Sequence, residues 1–426
     1  MSVAELSVAF FLQMFVILAA CRLAGWIVTK FFKQPQVIGE MIAGVVLGPS
    51  LLGLLLPDVQ AALFPPASKP ILFVISQFGI GLFMFIVGMG FKADHFKSNS
   101  KAAFAISASG ISAPFLIAIL ITPFLLHVPG LFNHGVTSLQ ATLFLGACIA
   151  ITAFPVLARI LHEKNLSHTK VGTLTLSSAA IDDAGAWCVL ALVLASLGEG
   201  PGVAIKAIAG AATFVAVMIV LGPKLLAPLA KIVERDGQVS PTILSIVLMV
   251  FVLSAWSMDY VGMHAVFGGF ILGVVMPRGK MTDEIKKTLE PIAVTFLVPI
   301  FFTYSGLNTQ LNVVNNIALV MIAAGILLAS VLAKAGACYL AARVCGQDNR
   351  TALSVGTLMN ARGLTELIII NIGLQRGIIG PALFSMLVVM AIVTTLMTSP
   401  VFDLIQNWGK KKAPLLAATE SGPKLD

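Results

Sequence analysis

Long apolar runs follow one another along nearly the whole chain, and they constrain its fold more than any other feature. In helical form, a run of roughly 20 apolar residues spans the hydrocarbon core of a bilayer. Hydropathy gives about thirteen such runs, located to within a few residues. They lie near 5–29, 36–56, 70–90, 102–126, 139–162, 169–197, 202–223, 240–258, 261–277, 290–307, 315–343, 351–375 and 380–406. The pattern predicts an all-α integral membrane protein.

The composition excludes several other classes of protein. Hydrophobic residues make up 58% of the chain and charged residues only 11%, which is typical of a chain built mostly of membrane spans. The net charge of +8 does not indicate nucleic-acid binding, because the basic residues lie in short loops and form no groove with interleaved aromatic residues. The five cysteines lie in or beside apolar runs and predict no disulfide framework. We expect neither enzymatic activity nor a cofactor, and the lipid bilayer as a partner.

The basic residues alternate between loops in the way that a membrane topology requires. Lys and Arg collect in cytoplasmic loops, and here every second loop is rich in them, whereas the loops between hold little beyond Lys69, Lys206 and Arg376. This alternation predicts a multi-pass protein of the cell (inner or plasma) membrane, with its N-terminus outside and its C-terminus in the cytoplasm. The residues assigned to the cytoplasmic side are Lys30, Lys33, Lys92, Lys97, Lys101, Lys164, Lys170, Lys224, Lys231, Arg235, Arg278, Lys280, Lys286, Lys287, Arg343, Arg350 and Lys410 to Lys412.

Two adjacent carboxylates, Asp182 and Asp183, stand in the middle of the apolar run at about 171–197. A carboxylate at the centre of a membrane helix costs about 2.5 to 3.5 kcal/mol unless the protein compensates it, so intramembrane acids usually mark ion or proton paths. Neighbouring residues on a helix point about 100° apart, so the two acids are expected to face different partners. The alternative is a pair of protonated, hydrogen-bonded acids that only hold helices together.

A third intramembrane charge, Lys334, lies inside the apolar run of span eleven and needs a counter-ion at the same depth. Asp182 or Asp183 is the expected partner. Arg362 and Glu366 are four residues apart on one helix face and are expected to satisfy each other. Glu40 lies near a helix end, from which its carboxylate is expected to reach water, and the loop histidines, including His162, are expected to be solvated.

Weak internal repeats and two interrupted helices point to a transporter architecture. Residues 82–89 resemble 300–307, and residues 42–49 resemble 270–277. The offset is seven spans, so the second copy enters the membrane inverted, which is typical of secondary transporters. Span five carries Pro155, which disfavours helical geometry at Phe154. Taken alone, a single proline in a membrane helix predicts a simple kink at least as well as a break. Span twelve carries residues able to relax a helix at the matching place, namely Gly356, Asn360 and Gly363. Such breaks line a cavity or are buried in protein.

Five segments closely resemble motifs of the monovalent cation:proton antiporter family, in particular its branch of potassium-efflux antiporters and plant and fungal cation/proton exchangers. The two most specific are residues 151–161 (Ile-Thr-Ala-Phe-Pro-Val-Leu-Ala-Arg-Ile-Leu) and residues 180–187 (Ala-Ile-Asp-Asp-Ala-Gly-Ala-Trp). The others are residues 39–49, 301–307 and 360–368. The resemblance extends over nearly the whole chain.

The resemblance implies a homodimer in which a transport core moves against a dimerisation scaffold. The implied parts are a scaffold of residues 1–100 and 236–312, a core of residues 101–200 and 313–408, a linker of residues 201–235 and a short cytoplasmic tail of residues 409–426. Asp183 matches the carboxylate that alternately binds the cation and protons, and Asp182 matches one paired with a lysine, here Lys334. Thr152 and Asn360 match positions at the crossing of the broken helices. The residues implied to shape that crossing are Ala153, Phe154, Pro155, Gly356, Arg362, Gly363 and Glu366.

The motifs leave the transported ion open. Exchangers that share the motif at 151–159 usually have Asn-Asp where this chain has Asp182-Asp183, a pair more typical of bacterial sodium/proton antiporters. We therefore expect exchange of Na+, Li+ or K+ for protons, with electrogenic exchange preferred. The alternatives are a potassium-selective electroneutral exchanger and, from other classes, a channel or a transport-inactive membrane sensor on the same fold. A large cytoplasmic regulatory domain, and with it nucleotide or glutathione gating, is not expected.

Overall fold

The computed structural model describes residues 2–91, 93–194, 201–307 and 316–408, and the regular structure in these ranges is helical, as expected. The expected tail at 409–426 lies outside the described residues. The first ten α-helices are α1 (Val3–Phe32), α2 (Gln36–Leu47), α3 (Leu52–Leu55), α4 (Pro57–Leu63), α5 (Lys69–Gly90), α6 (Ala93–Leu126), α7 (Ser138–Ala150), α8 (Phe154–Glu163), α9 (Lys170–Leu194) and α10 (Pro201–Asp236).

Nine further α-helices complete the described chain. They are α11 (Pro241–Tyr260), α12 (Ala265–Val275), α13 (Lys280–Ile292), α14 (Val298–Leu307), α15 (Ile317–Val331), α16 (Ala337–Val344), α17 (Asn349–Leu358), α18 (Leu364–Gln375) and α19 (Pro381–Asn407). Two five-residue π-helical turns, Ala293–Leu297 and Leu332–Gly336, join α13 to α14 and α15 to α16. A π-helical turn inserts a residue into the α-helical ladder and is frequent at functional sites.

Each expected apolar run contains at least one helix, and several contain two helices in succession. Within the described ranges, nine helical segments are long and apolar enough to cross a membrane, and α12 is apolar but shorter. The helix α9, which carries the two aspartates, is not among the nine. The expected number of about thirteen crossings therefore stays a prediction.

Polar residues mark several helix starts, where backbone N–H groups lack partners inside the helix. Ser2 and Glu5 form a capping box at the start of α1, and Thr137 and Gln140 form another at the start of α7. The Asp348 side chain accepts a hydrogen bond from the backbone N–H of Thr351 and caps α17. These local bonds define where the helices begin next to their connecting segments.

Glycines in the two weakly repeated motifs bring pairs of helices into backbone contact. A Cβ atom on Gly88 of α5 would lie 2.3 Å from the carbonyl oxygen of Phe270 and 3.0 Å from the Cα of Gly273 on α12. A Cβ atom on Gly306 of α14 would lie 2.1 Å from the carbonyl carbon of Gly44 on α2. No side chain fits at these distances, so both close approaches require glycine.

The helices pack into two main groups. The helices α1, α2, α5 and α11 to α14 pack mostly against one another, and so do α6, α7, α9 and α15 to α19. The long helix α10 contacts α9 in one group and α12 in the other. The short helix α8 follows α7 and packs on α9, both in the second group, and it also contacts α2 and α5 in the first group. It therefore lies where the two groups meet.

Candidate functional site

The first predicted helix break lies between α7 and α8. The helix α7 ends at Ala150, residues Ile151 and Ala153 adopt extended backbone angles, and α8 begins at Phe154. Pro155 occupies the first turn of α8, where the missing N–H costs no intrahelical hydrogen bond. The interruption predicted from Pro155 is therefore present, and it breaks the helix completely.

The second break, between α17 and α18, lies directly against the first. The backbone N–H of Ala153 donates to the carbonyl oxygen of Ala361 at 2.8 Å, and the Thr152 hydroxyl donates to the carbonyl oxygen of Met359 at 2.9 Å. A Cβ atom on Gly363 would lie 2.6 Å from Cγ2 of Val156, so this position requires glycine for close approach. The two unwound segments thus supply hydrogen-bond partners for backbone groups that have none within their own helices.

Gly356 does not relax the helix in the way that the sequence predicted. It lies inside α17, which continues to Leu358. A Cβ atom there would lie 2.6 Å from the carbonyl oxygen of Ala335 and 3.2 Å from the Cβ of Tyr339. Gly356 therefore serves tight packing against the π-helical turn and α16, and the break itself lies at Asn360–Gly363.

Two buried cations cover the carboxyl end of α7, where the last carbonyl groups have no intrahelical partner. Nη1 and Nη2 of Arg362 donate to the carbonyl oxygens of Cys148 and Ile149 at 2.7 and 2.8 Å. The Lys334 ammonium donates to the carbonyl oxygen of Ala150. Positive charge at this end also complements the helix dipole.

Arg362 has further partners that hold it in place. Its Nη1 lies 3.0 Å from Oε1 of Glu366, as the four-residue spacing predicted. Its Nη2 donates to the Ser330 hydroxyl at 2.6 Å, and its backbone N–H donates to the Thr395 hydroxyl at 2.8 Å. The side chains of Arg362 and Glu366 are fully buried. Arg362 therefore forms more than a local ion pair with Glu366: its hydrogen bonds connect α7, α15, α18 and α19 at the crossing.

Asp182 forms the ion pair expected for Lys334. Nζ of Lys334 lies 2.7 Å from Oδ2 of Asp182, and both side chains are fully buried. The same carboxylate oxygen accepts a hydrogen bond from the backbone N–H of Thr152 at 3.2 Å. Lys334 belongs to the π-helical turn Leu332–Gly336. Asp182 is thus tied both to a cation and to the unwound end of the first break.

Asp183 faces a different environment from its neighbour. It is 1% exposed, and its buried Oδ1 has no hydrogen-bond partner among the described residues. Oδ1 of Asn360, at the second break, is likewise buried and unpartnered in the described part of the chain. An unpaired oxygen in a water-poor site is costly, and cation or proton binding relieves that cost.

The helix α6 lies against the Asp182–Lys334 pair, a contact that no sequence pattern indicated. On α6, a Cβ atom at Gly110 would lie 3.6 Å from Oδ1 of Asp182, 3.7 Å from Cε of Lys334 and 2.9 Å from Sγ of Cys338. A glycine within an apolar helix gives no local indication of such a role. A larger residue at this position would first meet the Cys338 sulfur, directly beside the ion pair.

Two expectations about polar side chains outside the crossing were wrong. Glu40 does not reach water: it is fully buried, and its Oε1 lies 3.5 Å from Nη2 of Arg159. His162 is not simply solvated, because its Nε2 lies 3.0 Å from Oε1 of Glu290. In both cases the partner belongs to a helix that is distant in sequence, so no local pattern indicates the contact.

The chain matches a family of sodium/hydrogen exchangers and is similar to several cation/proton antiporters. The family described as "Sodium/hydrogen exchanger, transmembrane" matches residues 15–405. The Na(+)/H(+) antiporter NhaS4 of Synechocystis is 39% identical over 388 residues, which cover 90% of this chain and 94% of that protein. The K(+)/H(+) antiporter 1 of Saccharomyces cerevisiae is 32% identical over 408 residues, covering 93% of this chain. This chain spans 46% of the length of the yeast protein.

A solved structure resembles this fold over nearly its whole length. The sodium proton antiporter MjNhaP1 from Methanocaldococcus jannaschii has a TM-score of 0.61 to this chain, at 16% sequence identity. The match covers 94% of this chain and 99% of the archaeal protein. At this level of identity the likeness is one of fold.

Proposed function

Because the chain belongs to the sodium/hydrogen exchanger family of transmembrane proteins, as its motifs predicted, we propose that it exchanges a monovalent cation for protons. The observation that carries the proposal is the buried Asp183 carboxyl, whose Oδ1 has no hydrogen-bond partner among the described residues, next to the Asp182–Lys334 pair at the two helix breaks. The names of the Synechocystis and yeast relatives support Na+ or K+ as the cation. Li+ is a further candidate.

In the proposed mechanism, the cation and protons compete for one site. Asp183 binds the cation, and the oxygens of Thr152 and Asn360 complete the site or hold the unwound backbone around it. The loaded core moves across the membrane, whereas the empty core carries an uncompensated buried charge and does not. Loading therefore selects which conformational change is allowed, as alternating access requires.

The proposed architecture has about thirteen membrane spans in two inverted repeats. The glycine contacts support the repeat, because the motif on α5 packs against α12 and its counterpart on α14 packs against α2. We assign residues 101–200 and 313–408 to the moving core, 1–100 and 236–312 to the dimerisation scaffold, and 201–235 to the linker. The protein is proposed to form a homodimer in the cell membrane, with its N-terminus outside and its C-terminus in the cytoplasm.

The experiment that tests the proposal uses purified protein in liposomes with a pH-sensitive dye inside. Additions of Na+, Li+, K+ and Rb+ in turn should produce saturable proton movement opposite to the cation for at least one of them. The order of half-saturating concentrations then identifies the substrate. Uncoupled flux that rises linearly with driving force would instead indicate a channel, and the absence of flux for all four ions would indicate a transport-inactive sensor.

We further predict that each exchange cycle moves net charge. If Lys334 releases its proton when the cation binds, two protons exchange for one cation, and the membrane potential acts on the cycle with about 2.3 kcal/mol per charge per 100 mV. That energy shifts the exchange equilibrium by more than about tenfold. The measurement is Na+-driven proton flux with and without a potential clamped by valinomycin and a K+ gradient.

The Lys334→Gln protein is the companion variant for this measurement. It should lose the voltage dependence. It should also be less stable, because the buried Asp182 carboxylate would lose its ion-pair partner. Wild-type flux with a rate and endpoint indifferent to the potential would contradict electrogenic exchange. That result would favour a single carboxylate that exchanges one proton for one cation.

A further inference from the structure

Two charged residues of the sequence motifs, Glu40 and Arg159, have no role in the proposed exchange site. Glu40 on α2 and Arg159 on α8 are buried, and they face each other where the two helix groups meet, with 3.5 Å between Oε1 and Nη2. Arg159 also pairs through Nε with Oε1 of Glu163 at 2.7 Å. A buried charge pair between separately packed groups requires an explanation, because removing both charges from water is costly.

A second contact links the same two helices. The Glu163 carboxylate accepts a hydrogen bond from the backbone N–H of Val37, with distances of 3.2 and 3.3 Å to its two oxygens. The residue before α2, Pro35, forms no side-chain cap. A carboxylate from α8 therefore caps the amino end of α2, where negative charge is favourable.

Two more polar contacts cross between the groups at this end. His162 at the end of α8 pairs with Glu290 on α13 at 3.0 Å, and Nε2 of Gln34 donates to Oδ2 of Asp403 on α19 at 3.2 Å. Residues from all four contacts, namely Gln34, Arg159, His162 and Glu163, line one cavity of about 690 Å³. The contacts are therefore parts of one local arrangement.

The opposite face of α2 meets the second group differently. There, between α2 and α14 on one side and α18 and α19 on the other, lies a cavity of about 250 Å³. Apart from Arg362, its lining is apolar and includes Val45, Phe302, Leu367 and Ile392. Polar contacts thus join the two helix groups at the α8 end, whereas the cavity on the other face of α2 is mainly apolar.

We propose that these four contacts form a latch that closes the α8 end in this conformation and opens once in each transport cycle. The inference rests on the proposed function, because only a transporter has a cycle in which these helix groups separate. In the assigned topology, this is the cytoplasmic end. Contacts made in one conformation and absent from the other bias the equilibrium between the two.

The local partners of the charged residues explain how such a latch opens without leaving isolated charges. When α8 leaves α2, Arg159 keeps Glu163, which is four residues away on its own helix. Glu40 keeps the hydrogen bond that Nε2 of Gln36 donates to its Oε1 at 3.0 Å. Arg159 and Glu40 therefore each keep one partner on their own helix and exchange the other for solvent.

A reversible crosslink tests whether this end must open. His162 and Glu290 have side chains 33% and 30% exposed, so cysteines at both positions are accessible to a short bifunctional methanethiosulfonate. In liposomes, exchange by the His162→Cys/Glu290→Cys protein should fall in proportion to the crosslinked fraction and recover on addition of dithiothreitol. Wild type and each single-cysteine variant, treated with the same reagent, are the controls.

The outcomes of the crosslinking experiment are distinguishable. Full exchange by crosslinked protein would overturn the latch while leaving the exchange function intact. An absence of exchange by untreated wild type under every cation would overturn the exchange function itself. Loss that dithiothreitol does not reverse would also count against the latch, because opening of the interface would then not be the limiting step.

Amide hydrogen exchange gives an independent measurement on protein that is not crosslinked. The Glu40→Gln/Arg159→Gln protein removes both buried charges, and Glu163, whose side chain is 14% exposed, keeps its hydrogen bond with Val37. Exchange over residues 36–47 and 154–163 should be about tenfold faster than in wild type, because the end opens more often. The matched control is Arg235→Gln, which removes a 2.8 Å ion pair with Asp236 within α10 and leaves all four latch contacts in place. Amide hydrogen exchange at the wild-type rate in the double variant would contradict the latch.

Discussion

The Asp183→Asn protein should insert and fold normally but show no cation-driven proton movement. An amide keeps the shape of the carboxylate, while removing both its negative charge and its ability to bind and release a proton. Asp183 is 1% exposed and the buried Oδ1 has no hydrogen-bond partner among the described residues, so no described contact is lost at that oxygen. The measurement is proton movement in liposomes on addition of each cation, with folding checked by size-exclusion chromatography.

The matched control for this variant is Asp58→Asn, which makes the same chemical change at an exposed position on α4. That protein should exchange at the wild-type rate. Exchange retained by Asp183→Asn would place the ion site elsewhere, and Asp182 would be the next residue to test. A protein that aggregates only when Asp183 is changed would instead support a structural role for the acid pair.

The Arg362→Gln protein should lose both stability and transport. The guanidinium donates to two carbonyl oxygens at the end of α7, to Ser330 and to Glu366, all in a fully buried position. A glutamine cannot reach these partners together, and Glu366 would keep a buried charge without its cation. Removing one partner of a buried ion pair costs about 3–5 kcal/mol. We expect a clearly lower melting temperature in detergent and a large loss of cation-driven proton movement.

The control for Arg362 is Arg350→Gln, which removes an exposed arginine from the first turn of α17, at the end of that helix opposite the second break. Its melting temperature and exchange should remain close to those of wild type. If Arg362→Gln melts like wild type, the carbonyl groups of α7 have found other donors, and the proposed support of the crossing is wrong. Arg362→Lys should be intermediate, because an ammonium keeps the charge but lacks the planar fork of donors.

The sequence by itself determined the class of fold and the position of the polar centre. Long apolar runs require helices, because no other open backbone structure satisfies its own polar groups in a bilayer. Asp182, Asp183 and Lys334 stood out because a charge inside such a run is costly wherever it points. The first break was predictable because the effect of Pro155 acts on its own backbone and on the preceding residue. These are all local consequences of the sequence.

Only the tertiary structure decided which of these groups meet. The sequence allowed Lys334 to pair with either aspartate, and the structure places its ammonium 2.7 Å from Asp182. Oδ1 of Asp183 has no hydrogen-bond partner in the described part of the chain. The four-residue spacing of Arg362 and Glu366 indicated an ion pair, but the contacts of Arg362 with Cys148 and Ile149 span more than 200 positions in the sequence. The role of a glycine is equally hidden in the sequence. The helix does not break at Gly356, because this glycine is needed for close packing against α16. Hydrophobic periodicity reports the environment of each residue, whereas a partner depends on how distant helices pack, which residue spacing does not encode.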